Sequence, residues 1–200
     1  MVTNRLHGVD IDALDTAAQQ LFWSRLLESP PAGESAVELG PGTLRFVAAA
    51  HPKSAKNRLH LDLASTSAGH QIEIVDRARG LGAVPVDVGQ RDVPWVVLAD
   101  PEGNEFCVLE PRDEYLGLGP VAAVVIDALD PAAQARFWSG ATGLEIARAG
   151  DVVASLRQDG AYFVEFIRVP TATAGPNRVR LRVQGPVAPT DPEGNEITAE

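Results

Sequence analysis

Cysteine is nearly absent from this 200-residue chain, which has Cys107 alone. A single thiol excludes an intrachain disulfide framework, a zinc ribbon and a CxxC redox pair. Long apolar runs are missing too. Nothing approaches the ~18 uninterrupted apolar residues of a spanning helix, and the opening MVTNRLHGVD lacks the basic and apolar regions of a signal peptide. The expectation is a cytoplasmic protein with no membrane partner. Basic side chains are outnumbered, 17 against 27 acidic, and the resulting charge of −10 repels phosphate backbones, so no nucleic acid partner is expected. What remains is ordinary globular material, 45% apolar and 22% charged, enough for one or two compact domains.

The chain repeats itself. Residues 11–24 (IDALDTAAQQLFWS) and 126–139 (IDALDPAAQARFWS) are identical at 11 of 14 positions without a gap. NRLHLDL from Asn57 is matched by NRVRLRV from Asn177, and DPEGNE occurs at both Asp100 and Asp191. The offsets are 115, 120 and 91, so the second copy has lost 29 residues before its last block. In the first copy that interval holds HQIEIVDRARGLGA, with Ile72, Val75, Ala78 and Leu81 spaced for one helical face and Gly82 as a stop. The second copy has only QGPVAPT (Gln184–Thr190), too short and proline-rich for a helix, so its second helix and one strand are expected to be gone.

Each copy reads as strand, helix, then three strands. The first begins with a strand over Leu6–Ala13 and a helix over Ala17–Leu27 capped by Asp15. The second copy has Asp130 as cap and Pro131 at the first helical position, where a missing N–H costs nothing. Further strands are expected near Ala36–Leu39, Thr43–Ala49, Arg58–Ala64, Val84–Val88, Trp95–Ala99 and Glu105–Leu109, with DPEGNE as the turn before the last.

The Asp-capped helix ending in FW, the HLDL strand and the DPEGNEF turn, in order, resemble the vicinal oxygen chelate superfamily. Its members include glyoxalase I, bleomycin and fosfomycin resistance proteins and extradiol dioxygenases, and the nearest resemblance is to actinobacterial glyoxalase-like domain proteins. The resemblance implies an α+β fold of tandem βαβββ modules forming cupped mixed sheets with helices outside. It also implies a complete domain in residues 1–115 and a shortened one in 116–200. Three strand positions per domain carry divalent-metal ligands in that superfamily. Here they hold Gly8, His60 and Cys107 in the first copy and Ala123, Arg180 and Thr198 in the second. The usual ligand set is thus incomplete and no cofactor is assigned. A soft His60/Cys107 pair joined by an oxygen of Asp10 or Asp62 is the remaining route to zinc.

Strand alternation puts Asp10 and Asp12 on the Gly8 face, His60 with Asp62, and Glu105 beside Cys107. Carboxylates beside an imidazole can bind an amine-bearing ligand or tune His60 as a general base. Cys107 reads as a buried small side chain rather than a nucleophile. Arg178, Arg180 and Arg182 alternate along the corresponding strand of the second copy, where they either bind an anion or pair with acidic residues between domains. The opposite face of that strand, Val179, Leu181 and Val183, lacks its helix and needs cover from the first domain or a second subunit, hence a possible homodimer. The candidate ligand-binding set is therefore Asp10, His60, Asp62, Cys107, Arg180 and Arg182. The leading expectation is a small metabolite or antibiotic bound by sequestration or metal-independent proton transfer. A metal-dependent lyase, isomerase or dioxygenase and a non-catalytic interaction module are the alternatives.

Overall fold

A computed structural model describes residues 4–157 and 161–200 of the chain. The first half folds as β1 (Arg5–Ala13), α1 (Thr16–Leu27), β2 (Ala36–Leu39), β3 (Gly42–Ala48), β4 (Leu59–Leu63), α2 (Ala68–Gly80), β5 (Val84–Pro85), β6 (Val96–Ala99) and β7 (Glu105–Val108). The second half continues with β8 (Val121–Ala128), α3 (Pro131–Thr142), β9 (Glu145–Ala149), β10 (Val153–Arg157), β11 (Phe163–Arg168), β12 (Val179–Gln184) and β13 (Ile197–Ala199). This is the mixed α+β architecture that the resemblance implies.

The repeated motifs are joints of this scaffold. Asp15 Oδ1 accepts the Ala18 N–H at 2.9 Å, and Asp130 Oδ1 accepts that of Ala133 at 3.0 Å, so each copy's first helix starts on its own aspartate. In the two DPEGNE turns, Asp100 Oδ1 accepts the N–H groups of Glu102 and Asn104, and Asp191 Oδ1 those of Glu193 and Asn195. The glutamate of each turn then reaches back to the helix entry of its own half. Glu102 accepts from the amides of Leu14 and Asp15, and Glu193 from those of Leu129 and Asp130. Asn57 and Asn177 exchange bonds across the halves: Asn57 Oδ1 accepts the Arg178 N–H, and Asn177 Oδ1 that of Arg58, both at 3.1 Å.

Neither sheet belongs to one half of the chain. The five-stranded sheet runs β13-β12-β1-β3-β2 and the eight-stranded sheet β5-β6-β7-β4-β8-β11-β10-β9. β1 pairs antiparallel with β12, placing Gly8 opposite Arg182 and Asp10 opposite Arg180. β4 pairs antiparallel with β8, placing His60 opposite Val125 and Asp62 opposite Ala123. The two registers are the same under the repeat offsets. The expectation that each cup is built within one half therefore gives way to two cups that each combine strands from both halves. Alternation is satisfied equally by either pairing, so the pattern alone does not select between them.

Where the second half is shortened, the five-stranded sheet stops at β13, while the other continues through β6 and β5. Val179, Leu181 and Val183 are buried in one apolar cluster with Val9, Ile11, Trp23, Leu61, Phe106 and Ile126, and Val187 of the shortened segment packs against it. The cover comes from the same chain, including the first half. Trp23 meets Phe106 edge-on at 5.2 Å between ring centroids, in the same cluster. On α2 the expected face holds at Ala78, which is buried, and at Val75 and Leu81, which pack against the core, and is corrected at Ile72. Ile74 and Ala78 are the buried residues of α2, and Ile72 is exposed, because α2 turns its Gln71 side to the sheet to donate to the Pro94 and Val108 carbonyls.

Candidate functional site

The inward positions of the eight-stranded sheet are those that alternate away from the main core. On β4, Leu59, Leu61 and Leu63 enter that core, leaving His60 and Asp62 on the opposite face. Cys107 of β7, Ala123 and Val125 of β8, and Phe163 of β11 line the same face and form a second apolar cluster with Tyr115. Register makes two rows across it. Cys107, Asp62, Ala123 and Phe163 lie side by side, as do His60, Val125 and Glu165.

His60, Asp62 and Cys107 converge, with one ligand-type atom of each within 4.8 Å of the others. His60 Nε2 lies 3.3 Å from Asp62 Oδ1, yet this oxygen is buried and has no hydrogen-bond partner. The Cys107 thiol is raised far above its ordinary range, first by burial and then by the charge of Asp62, so it is not a thiolate nucleophile near neutral pH. His60 and Cys107 line a partly enclosed cavity of ≈ 230 Å³ with Val97, Val125, Ile167 and Asp127. Two ion pairs stand at its polar wall, Lys56–Asp127 and Lys53–Glu105, both at 2.6 Å.

Glu165 belongs to this surface and was missed from sequence. Burial pushes its carboxyl up to about 7, with the Asp62 charge adding to the rise and the Tyr115 hydroxyl, which donates at 3.1 Å, opposing it. The available signal was a lone glutamate at an inward position of FVEFIR, between Phe163 and Ile167. Arg112 lies 5.7 Å from the Tyr115 ring and 5.8 Å from that of Trp95, fixing the aromatic rim.

Asp10, Arg180 and Arg182 are not part of this constellation. They lie on the five-stranded sheet, where Arg182 donates to Asp10 Oδ1 at 2.8 Å and Arg45 donates to the same carboxylate at 3.0 and 2.8 Å. Arg180 pairs with both oxygens of Asp12, and Arg182 also contacts Thr43 Oγ1. Glu200 receives Arg45 at 2.7 Å. Three guanidiniums and three carboxylates neutralise one another, and the Arg182 and Asp10 side chains are only 2% and 1% exposed. Of the two roles expected for these arginines, anion binding or pairing with acidic residues between domains, the pairs of Arg180 with Asp12 and Arg182 with Asp10 across β12 and β1 correspond to the second. Gly8 sits here as well, and a Cβ on it would fall 2.8 Å from Arg182 Nη2 and inside the Thr43 backbone.

A larger cavity of ≈ 400 Å³ lies beside α1 and α2, lined by Leu26, Leu27, Leu63 and Ile74. Its Arg77 is already held by Glu28 at 2.6 Å and its His70 by Thr66, so it offers fewer open polar groups.

A family model described as "Glyoxalase-like domain" matches residues 8–109 and 123–199. The chain belongs to the glyoxalase-like domain family. Among solved structures it is similar to glyoxalase I from Zea mays, at 13% identity and a TM-score of 0.66, over 91% of this chain and 74% of that one. A mutant of glyoxalase I from Zea mays gives 13% identity and a TM-score of 0.64, over 98% of this chain and 93% of that one. No curated protein matches. The fold is that of the vicinal oxygen chelate superfamily, and such a fold hosts unrelated chemistries. No helix among the described residues is long and apolar enough to cross a membrane.

The fold also allows a test of the superfamily's metal positions. Because β1 pairs with β12 and β4 with β8, Gly8, His60 and Cys107 do not share one cup. Gly8, Arg180 and Thr198 share the five-stranded sheet, where a bare glycine and an ion-paired arginine offer a cation nothing. The eight-stranded sheet keeps His60 and Cys107 but has Ala123 at the third position. The oxygen-rich set implied for a hard ion does not fit either cup.

Proposed function

We propose that this glyoxalase-like protein binds a small organic molecule in the cavity of the eight-stranded sheet. Its apolar body packs on Val97, Val125 and Ile167, and its polar end faces His60 and Cys107. The observation carrying this reading is the contrast between equivalent positions of the two sheets. Those of the five-stranded sheet are closed by arginine–carboxylate pairs, while among the described residues no arginine pairs with His60, Asp62 or Glu165, and His60 borders ≈ 230 Å³ of space. A few convergent polar groups in an otherwise apolar concavity is the arrangement that fixes a ligand's orientation.

Sequestration and proton transfer are both compatible with this cavity. In a metal-free chain proton transfer would use His60 as the base, with Asp62 Oδ1 3.3 Å from its Nε2. The test is a small-molecule fragment screen by ligand-observed NMR on the wild-type chain and on Val125→Phe, whose larger ring fills the cavity. Binders are expected to weaken at least tenfold in Val125→Phe and to bind normally to Asp12→Asn, on the other sheet. Fragments indifferent to Val125→Phe would overturn the reading.

A further inference from the structure

We infer that His60, Asp62 and Cys107 form a site for a single thiophilic divalent ion, zinc being the fitting one. This rests on the reading of the eight-stranded cup as the functional surface, and gives its polar end a chemical identity. Asp62 supplies the decisive observation. Its residue is 8% exposed, and Oδ1 has no hydrogen-bond partner although the His60 imidazole is 3.3 Å away. A buried carboxylate oxygen left in this way is costly unless something cationic completes it. Among the described residues no lysine or arginine does so.

The separations suit an ion shared by the three side chains. Nitrogen and oxygen ligands of tetrahedral zinc, each at about 2.0–2.1 Å from the metal, lie about 3.3 Å from each other. The His60–Asp62 distance already has that value, and the Cys107 sulfur closes the triangle within 4.8 Å. One sulfur, one imidazole and one carboxylate favour a borderline-soft ion over calcium or magnesium, which take oxygen shells. Three protein ligands leave a fourth position of the tetrahedron for a bound molecule. His60 and Cys107 line the cavity, so that position is on the ligand's side. Asp62 is not one of the three superfamily positions, so the set belongs to this sequence: an inward neighbour of His60 stands in for the donor that Ala123 lacks. On binding, the Cys107 S–H bond breaks, the thiolate's electron pair goes to the metal, and the proton leaves to solvent.

The experiment loads the untagged full-length chain with zinc, removes excess by gel filtration, and measures metal per chain. X-ray absorption at the zinc edge then reads the ligand atoms without a variant. The expected result is one zinc per chain with one sulfur neighbour at about 2.3 Å and lighter ligands inside it. Cobalt substitution should give a thiolate-to-cobalt charge-transfer band that Cys107→Ser abolishes, while Asp62→Asn lowers zinc affinity at least tenfold and Asp10→Asn leaves it unchanged. A metal-free chain after loading, or a zinc shell without sulfur, overturns the assignment. The ion and the ligand cavity fail separately: a metal-free chain that still binds fragments in the wild-type cavity refutes the ion alone. A chain that holds zinc through Cys107 but binds no fragment confirms the ion and removes the ligand reading.

Discussion

The two sheets are built from the same repeat, and their inward faces can be compared position by position. Gly8, Asp10 and Asp12 of β1 stand where Ala123, Val125 and Asp127 stand on β8. Arg45 of β3 corresponds to Glu165 of β11, and Arg180 and Arg182 of β12 correspond to His60 and Asp62 of β4. In the five-stranded sheet every one of these charges has an opposite within hydrogen-bonding distance. In the eight-stranded sheet the equivalent set is three carboxylates and an imidazole: Asp127 is paired with Lys56, while Asp62, Glu165 and His60, with a thiol beside them, have no guanidinium bonded to them among the described residues. One face has become an electrostatic lock that holds β1 to β12. The other keeps a buried carboxylate oxygen, on Asp62, without a hydrogen-bond partner.

Breaking the lock should have the largest effect. Asp10→Ala leaves Arg182 charged and buried without its main partner, and the expected loss is about 3–5 kcal/mol of stability in denaturant unfolding. In the metal-free chain Asp62→Asn removes a charge that no lysine or arginine among the described residues pairs with, so its stability should change by less than about 1 kcal/mol or rise. Equal destabilisation by both would erase the distinction between the faces.

Glu165 gives the next effect, through pH. Its folded carboxyl titrates at about 7 against 4.5 for the unfolded chain, so the folded state holds the proton more tightly between these values. Stability from this group is complete below about pH 4.5 and is lost as pH rises to 7, by about 3 kcal/mol in all. Urea unfolding of wild type and Glu165→Gln across this range should show the wild-type advantage shrinking with rising pH. A constant difference would mean that Glu165 is ionised throughout. Smallest are the helix caps, which both halves share. Asp15→Ala and Asp130→Ala should each cost about 1 kcal/mol, and similar values would show that the repeat's scaffold is equally used in both halves.

Much of this was legible in the residues. The caps, the DPEGNE turns and the loss of the second helix after Gln184 are local chemistry, and local chemistry is written at fixed spacing. His60 and Asp62 could be placed on one face because strand alternation has a period of two. The partner of that face could not. A duplicated chain can pair its modules within or between halves with the same alternation, and only tertiary packing decides, which is why Asp10 was grouped with His60 and is found against Arg182 instead. Glu165 escaped because it aligns with Arg45, and a change of sign at an equivalent position shows its meaning only when the neighbours across the sheet are known. Ile72 misled for a related reason: a helix with apolar residues on more than one face buries the face that its sheet allows.

The central claim is that guests enter the eight-stranded face and not the five-stranded one. Amide chemical shifts of the isotope-labelled chain, followed as fragment binders from the screen are titrated in, test it most directly. The expected result is a set of perturbations at His60, Cys107, Val125 and Ile167, with Asp10, Asp12, Arg180 and Arg182 unmoved. Shifts centred on the arginine-bearing strand, with the histidine strand silent, would contradict it.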